Sequence, residues 1–179
     1  HDQKHVLCML AVDRAMPAMP AAPSGPTLQE SRPGERAQVR TNPDMLTSEH
    51  DAQKFEALAT SQLARVSVET SAIEKRGAPA LIASVNESPD GAFLLVRTVQ
   101  RPFSYLVSWR DFPSRVDVWT RAGEFVRNIV EQPLRENVPI GGVETGPRAI
   151  AWMPSHPHAL RWTVAQDDGD PRKKVAVRD

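Results

Sequence analysis

The residue types in this chain that could do chemistry are its serines, five histidines, one cysteine, a run of aspartates near the C-terminal end and a band of arginines in the middle. A serine nucleophile on an α/β-hydrolase scaffold sits at a strained strand-to-helix turn with glycine two positions away on each side. No serine here has that setting. Ser24 and Ser155 come closest, with glycine or histidine beside them, and both lie in proline-rich loop sequence. His156-Pro157-His158 could present two imidazoles to a metal, but the intervening proline and the lack of a third ligand at helical spacing favour an exposed loop. Asp167-Asp168-Gly169-Asp170 resembles a piece of a calcium loop without its spaced ligands and distal glutamate, and reads as a polar hairpin turn. The lone Cys8 excludes an internal disulfide and a multi-cysteine zinc site, and reads as a small buried apolar residue in a strand. No catalytic residue, no cofactor-binding residue and no metal ligand is therefore assigned.

The arginines are the stronger signal. Arg97, Arg101, Arg110, Arg115 and Arg121 lie in and around Arg101 to Trp119, RPFSYLVSWRDFPSRVDVW, which also concentrates aromatic residues and two prolines. One reading has one or two of them projecting into a tunnel or inter-domain cavity to bind substrate carboxylates, a task that suits the guanidinium fork. The other has them pairing with Asp111, Asp117 and Glu124 across neighbouring strands, each pair contributing about 0.2–1 kcal/mol. Pairing is favoured for any single arginine. Arg101 and Tyr105 are kept as the substrate-contact candidates. Trp109, Trp119, Trp152 and Trp162 read as packing between sheets rather than an aromatic cage.

The elements that must position these residues are short. Lysine plus arginine equals aspartate plus glutamate at 22 each, so no net field favours nucleic acid or an anionic membrane. The 179 residues, 40% hydrophobic and 25% charged, are those of an ordinary globular chain. Apolar runs fall far short of the ~20 residues of a membrane helix. Arg172-Lys173-Lys174 is short and balanced by the neighbouring acids, so it makes no nucleic-acid patch. The chain starts at His1 with no initiator methionine and no leader pattern, which reads as an internal start. Cytoplasmic, periplasmic and plastid locations all stay open.

Val6 to Val12 reads as a strand buried on both faces. Residues 13–46 form a proline-rich loop, with Pro17, Pro20, Pro23 and Pro26 at intervals of three, as in an extended connection. Residues 47–61 carry a short helix, with Ser48 and Asp51 as a weak capping pattern and Phe55, Leu58, Ala59 and Gln62 or Leu63 on one face at spacings of three and four. Gln62 to Val68 alternates as a half-buried strand, and Ala80 to Val85 follows as another. Ser88-Pro89-Asp90-Gly91 is a tight turn leading into Phe93 to Val96, a run apolar on both pleat faces, as in a sheet covered on both sides. Proline breaks the arginine-rich stretch into strands Phe103 to Trp109 and Val116 to Trp119, and Glu124 to Val130 returns after the turn at Arg121 to Gly123. The result is a meander of four short strands. After a loop from Pro133 to Pro147, Ala149 to Pro154 and Leu160 to Val164 echo the earlier strands, with Pro89 and Pro154 about 65 positions apart. The fold class expected is all-β: a partial β-propeller with one complete four-stranded blade, parts of neighbouring blades and one short helix.

Several blocks together resemble a family. Ala59 to Leu63, Ser88 to Gly91, Arg101 to Val107, Val138-Pro139-Ile140, Thr145 to Arg148, and Gly169-Asp170-Pro171 with Lys173-Lys174-Val175 look like the propeller region of prolyl-oligopeptidase-family serine peptidases, most of all the glutamyl endopeptidase branch. The resemblance covers most of the chain. It implies that residues 1–179 are a fragment of an N-terminal β-propeller domain. In the parent enzyme a C-terminal α/β-hydrolase domain, absent here, would carry a Ser-Asp-His triad. The propeller would cap that active site and filter peptide substrates, with cleavage after glutamate suggested by the branch. Gln100, Ser108-Trp109, Met153 and Ser155 depart from the family pattern. The alternatives are a free-standing propeller-like module that binds protein partners, and a small self-sufficient hydrolase, which would need a nucleophile that the sequence does not offer.

Overall fold

The structure is a computed structural model and describes residues 4–20, 45–139 and 141–177. His1, Ser24, Pro23, Pro26, most of the proline-rich loop and Ile140 lie outside the described residues. In chain order the elements are β1 (His5–Ala11), α1 (Glu49–Ala59), β2 (Ser61–Ser67), β3 (Ile73–Ala80), β4 (Ile82–Glu87), β5 (Phe93–Val99), a 3-10 turn at Trp109–Asp111, β6 (Ser114–Thr120), β7 (Phe125–Gln132), β8 (Arg148–Trp152) and β9 (Leu160–Thr163). They form three antiparallel sheets: β1-β2-β3, the four-stranded β4-β5-β6-β7, and the β8-β9 pair. The fold is all-β, one complete meander sheet with parts of two others, propeller-like and open.

The central sheet is held by β5, whose successive side chains point to opposite faces. Leu94 and Val96 join Leu63 of β2 and Ile82 of β4 in a core against the first sheet, with Trp119 packed on it. Leu95 joins Val116 and Val118 of β6 in a second core, which takes Ile150, Trp152 and Leu160 from the last sheet. The run that is apolar on both faces is thus covered on both faces. The turn before it forms as its residue types dictate: Gly91 has φ +69°, its N–H donates to the Ser88 carbonyl at 2.8 Å, and the Ser88 hydroxyl accepts from Phe93 N–H at 3.0 Å.

A third core closes the other end of the sheet. Val99, Val107 and Phe112 are buried with Phe55 of α1, Phe103 and Leu134 around them. Phe55 meets Phe103 edge-on at 5.2 Å, and Phe103 stacks on Phe112 at 5.3 Å. This cluster explains why the strand expected over Phe103 to Trp109 does not form. Phe103, Val107 and Phe112 pack around Phe55 of α1 and Leu134, so the segment is held by side-chain contacts to a helix and a loop and not by a ladder to a neighbouring strand.

Other expectations are also corrected. Val6 to Val12 was to be buried on both faces; β1 is instead the outer strand of its sheet, with Val6 51% and Met9 52% exposed and Cys8 only half-buried. The helix starts at its Ser48 cap, whose hydroxyl accepts from Asp51 N–H at 3.2 Å, but Ala52 and Phe55 face the protein while Leu58 and Ala59 are exposed. Trp109 and Trp162 are exposed, and Trp119 and Trp152 pack between sheets. Strand β3 is not legible in the sequence because it contains Gly77 and Pro79 and is largely exposed.

Gly77 nevertheless sets the joint between the first two sheets. A Cβ on Gly123, in the β6–β7 turn at φ +89°, would lie 2.3 Å from the Gly77 nitrogen. Gly146 has a similar φ of +84° and nothing within 4 Å of a Cβ. Gly123→Ala is therefore expected to destabilise the chain by more than about 1 kcal/mol and Gly146→Ala by less, as read by thermal or denaturant unfolding. The exposed apolar edge at β1 leads to a second expectation. The isolated chain should self-associate in light scattering, less so with Met9→Lys; a soluble monomer with one sharp melting transition would contradict it.

Candidate functional site

The two ends of the central sheet differ. Tight turns, Ser88 to Gly91 and Arg121 to Glu124, close one end. The long loops 100–113 and 133–147 leave from the other, and most of the arginines gather there.

Arg101 lies where β5 runs into the first of these loops. Its Nη2 is 2.8 Å from Glu56 Oε2 and its Nη1 3.4 Å from Glu49 Oε1, both on α1, and its guanidinium stands 4.7 Å above the Phe103 ring. The Glu56 hydrogen bonds push its pKa above the usual arginine value. Exposed pairs of this kind contribute at most about 1 kcal/mol, so their effect is to fix where the side chain points. Arg101 also lines a cleft of about 470 Å³ with Gln100, Arg115, Glu131 and Gln132. Tyr105 is half-buried in the loop and does not line that cleft. The two candidate residues are therefore neighbours in sequence without sharing a cavity.

The remaining arginines were expected to pair across strands. Arg115 instead pairs with Asp117 of its own strand at 2.8 Å, an acid that also accepts from Asn128 Nδ2 at 2.9 Å. Asp111 takes Arg135 at 2.7 Å, and Glu144 binds the same guanidinium. Arg110 lies 4.9 Å over Trp109 and offers its carbonyl to Arg135 Nη2 at 2.8 Å. Arg121 lies at the opposite end and lines a cavity of about 360 Å³ with His5, Arg65 and Asp90.

Arg135 is the hub that sequence reasoning missed. It ties loop 133–147 to the 3-10 turn. From Glu144 the network runs on through Gln132, whose Nε2 donates to Glu144 Oε1 at 3.2 Å and whose Oε1 accepts from the Ser114 hydroxyl at 2.9 Å. Ser114 in turn accepts from Arg97 Nε at 3.1 Å. Burial, and then the neighbouring Arg135 charge, hold the Arg97 pKa below the usual arginine value, against the opposing pull of Glu144 and Asp111.

The groups suited to nucleophilic catalysis do not converge. The Ser155 hydroxyl is 3.0 Å from His156 Nδ1, whereas the carboxylate–histidine contact, Asp90 to His158 at 3.1 Å, uses the other histidine. A relay needs one imidazole between hydroxyl and acid. Among the described residues, no group of three or more histidine, cysteine or acidic residues is placed to hold a metal ion. In the acidic run, Asp167 accepts from Gly169 N–H at 2.9 Å, Arg172 pairs with Asp170 at 2.7 Å and Lys173 with Asp168 at 2.5 Å, so the run folds into a turn in which Asp168 and Asp170 are ion-paired. Among the described residues, no helix is long and apolar enough to cross a membrane.

Two curated proteins are similar to this chain. One is a probable chloroplastic glutamyl endopeptidase of Oryza sativa subsp. japonica, 39% identical over 177 residues, which are 97% of this chain and 19% of that protein. The other carries the same description in Arabidopsis thaliana, 39% identical over 158 residues, which are 87% of this chain and 16% of that protein. The chain thus spans less than a fifth of the length of the relatives it matches, and it is related in sequence to that part of a peptidase. No protein-family profile matches, and no solved structure matches.

The Asp90 contacts give a test of the geometry. Hydrogen bonds from the Ser88 hydroxyl, the Ala92 N–H and His158 bring its pKa from 3.8 down to about 2. Because the folded value is depressed, the stability this carboxylate contributes is present above the unfolded value and lost as pH falls through about 2. A carboxyl titration followed by NMR should find the low midpoint, and Ser88→Ala should move it back up.

Proposed function

We propose that this chain is the noncatalytic propeller portion of a serine peptidase of the prolyl-oligopeptidase family, in its glutamyl endopeptidase branch. In the parent protein it caps an α/β-hydrolase domain encoded elsewhere in the chain and filters peptide substrates by size. The observation that carries this reading is the match along nearly the whole chain to a small part of two proteins described as glutamyl endopeptidases. Two features of the fold support it. The central sheet is a complete four-stranded meander with a neighbouring sheet packed on each face, as a propeller blade requires. The hydroxyl, imidazole and carboxylate groups fall into separate pairs, which suits a cap better than an active site.

The test uses the full-length protein. An active-site-directed fluorophosphonate is expected to label a serine outside these residues. Trp152→Ala removes an indole that donates to the Asn86 carbonyl at 2.9 Å and packs against the second core, so it loosens the joint between two sheets. Cleavage of a large unfolded polypeptide should then rise severalfold while kcat/KM for a short peptide stays unchanged. Stoichiometric labelling of this chain by itself, or equal effects of Trp152→Ala on both substrates, would contradict the reading.

A further inference from the structure

Each of the three sheets has two end strands, and an end strand turns half of its backbone groups away from its one neighbour. Native proteins blunt such edges with charged residues, proline or a bulge. Among the described residues, five of the six end strands carry these devices. β3 has Lys75 and Pro79, and β7 has Arg127 and Glu131. β4 ends on Glu87, β8 starts on Arg148, and β9 holds Arg161. Each of these five also belongs to a ladder whose register shifts at least once.

β1 has none of them. His5–Ala11, HVLCMLA, contains no acidic residue, lysine, arginine, proline or glycine, and all 7 residues pair with Ser67 to Ser61 of β2 without a shift. Val6 and Leu7 are consecutive, so they stand on opposite faces, and they are 51% and 36% exposed. Met9 shares the face of Leu7 and is 52% exposed. β1 is thus built as an interior strand, regular and apolar on both faces, yet among the described residues β2 is the one strand that pairs with it.

We infer that the side of β1 away from β2 pairs with one further strand, supplied by a part of the same polypeptide outside residues 1–179. Two observations select this occupant. The chain matches 19% and 16% of the length of its two relatives, so most of such a protein lies outside it and is tethered to it. A tethered segment reaches an edge at an effective concentration that a second copy or a free peptide does not match. A fourth strand also brings the first sheet to the size of the central one. The chemistry of the occupant follows from the two exposed faces of β1: an extended segment of about six residues, apolar on each face and without proline in the ladder. That the occupant belongs to the same polypeptide rests on the peptidase reading above; the open edge does not.

The experiment uses the full-length protein. A photoreactive benzophenone amino acid is placed at Leu7 and, separately, at Met9, with Ile73 of β3, 58% exposed, as the control position. After irradiation, both β1 positions should link to one segment of the same polypeptide outside residues 1–179, at points about two residues apart and in reverse order, the signature of an antiparallel ladder. Ile73 should not link to that segment. Hydrogen exchange in the unaltered protein should slow every amide from Val6 to Ala11 at least about tenfold below the unstructured rate, whereas an open edge slows every second one. Rapid exchange at alternate amides overturns the inference. Links to a second copy, to other positions within residues 1–179 or to two unrelated segments overturn the occupant, and so does full protection without a link outside these residues. Should the Leu7 and Met9 variants not fold, a benzophenone at Val6, on the opposite face, must still reach one segment outside residues 1–179. Failure of the fluorophosphonate to label any serine would remove the peptidase reading and leave the links and the exchange pattern as they are.

Discussion

Burial of β5 on both of its faces is the constraint on which the rest of the structure depends. Leu94 and Val96 are 1% and 0% exposed against the first sheet, and Leu95 is 4% exposed against the last. Each such side chain contributes about 1.5–3 kcal/mol when removed from water. The flanking sheets have three strands and two. A two-stranded hairpin is marginal by itself in water, so β8 and β9 take their stability from Ile150, Trp152 and Leu160 packed on the central sheet. The same logic applies to the first sheet, whose Leu63 is fully buried only because β4 and β5 cover it.

What was legible in the sequence follows from this constraint. A run apolar on both pleat faces has one stable solution, a sheet covered on both sides, and Phe93 to Val96 announced it. The turn at Ser88 to Gly91 was legible because its proline, aspartate and glycine each perform a local backbone task. Val6 to Val12 carried a similar apolar signal and was misread, since composition does not say whether a strand has a neighbour on its outer side. Strand β3 gave no signal, because Gly77 serves a contact with Gly123 and Trp119 that is distant in sequence. Phe103 to Trp109 looked like a strand from its aromatic and β-branched content, yet Phe55, brought from α1, draws it into a loop core.

The candidate site was legible by residue type and not by arrangement. The arginines around Arg101 to Trp119 stood out, but their partners did not, because a loop such as 133–147 has no period from which to read geometry. Arg135 and Glu144 lie in that loop and become the centre of the ionic network. Arg101, singled out for substrate, is occupied by two glutamates of α1. Arg97 could have been found from parity alone. Once Phe93 and Leu95 are set on an inward face, the residue two further on shares that face, and an arginine there is a departure from the pattern around it.

Arg97 is half-buried beside an apolar layer, and its pKa is lowered first by burial and then by the Arg135 charge. An apolar residue at position 97 would continue the second core, as Leu95 and Val116 do. Hydrogen bonds to Ser114 and to the Arg110 carbonyl hold the guanidinium in place, but neither partner carries charge. At the opposite end of the sheet, by contrast, Asp90 is satisfied by Ser88, Ala92 and His158, and the turn it closes is fully accounted for by its own bonds. The arginine end is where Arg97, Arg135, Asp111 and Glu144 meet, and it is also the end from which the long loops leave. Loops carried on a rigid sheet are where proteins place recognition. The central sheet therefore does two things in different places: its middle fixes three sheets against one another, and its loop end carries the ionic network of Arg135, Asp111 and Glu144, joined to Arg97 through Gln132 and Ser114.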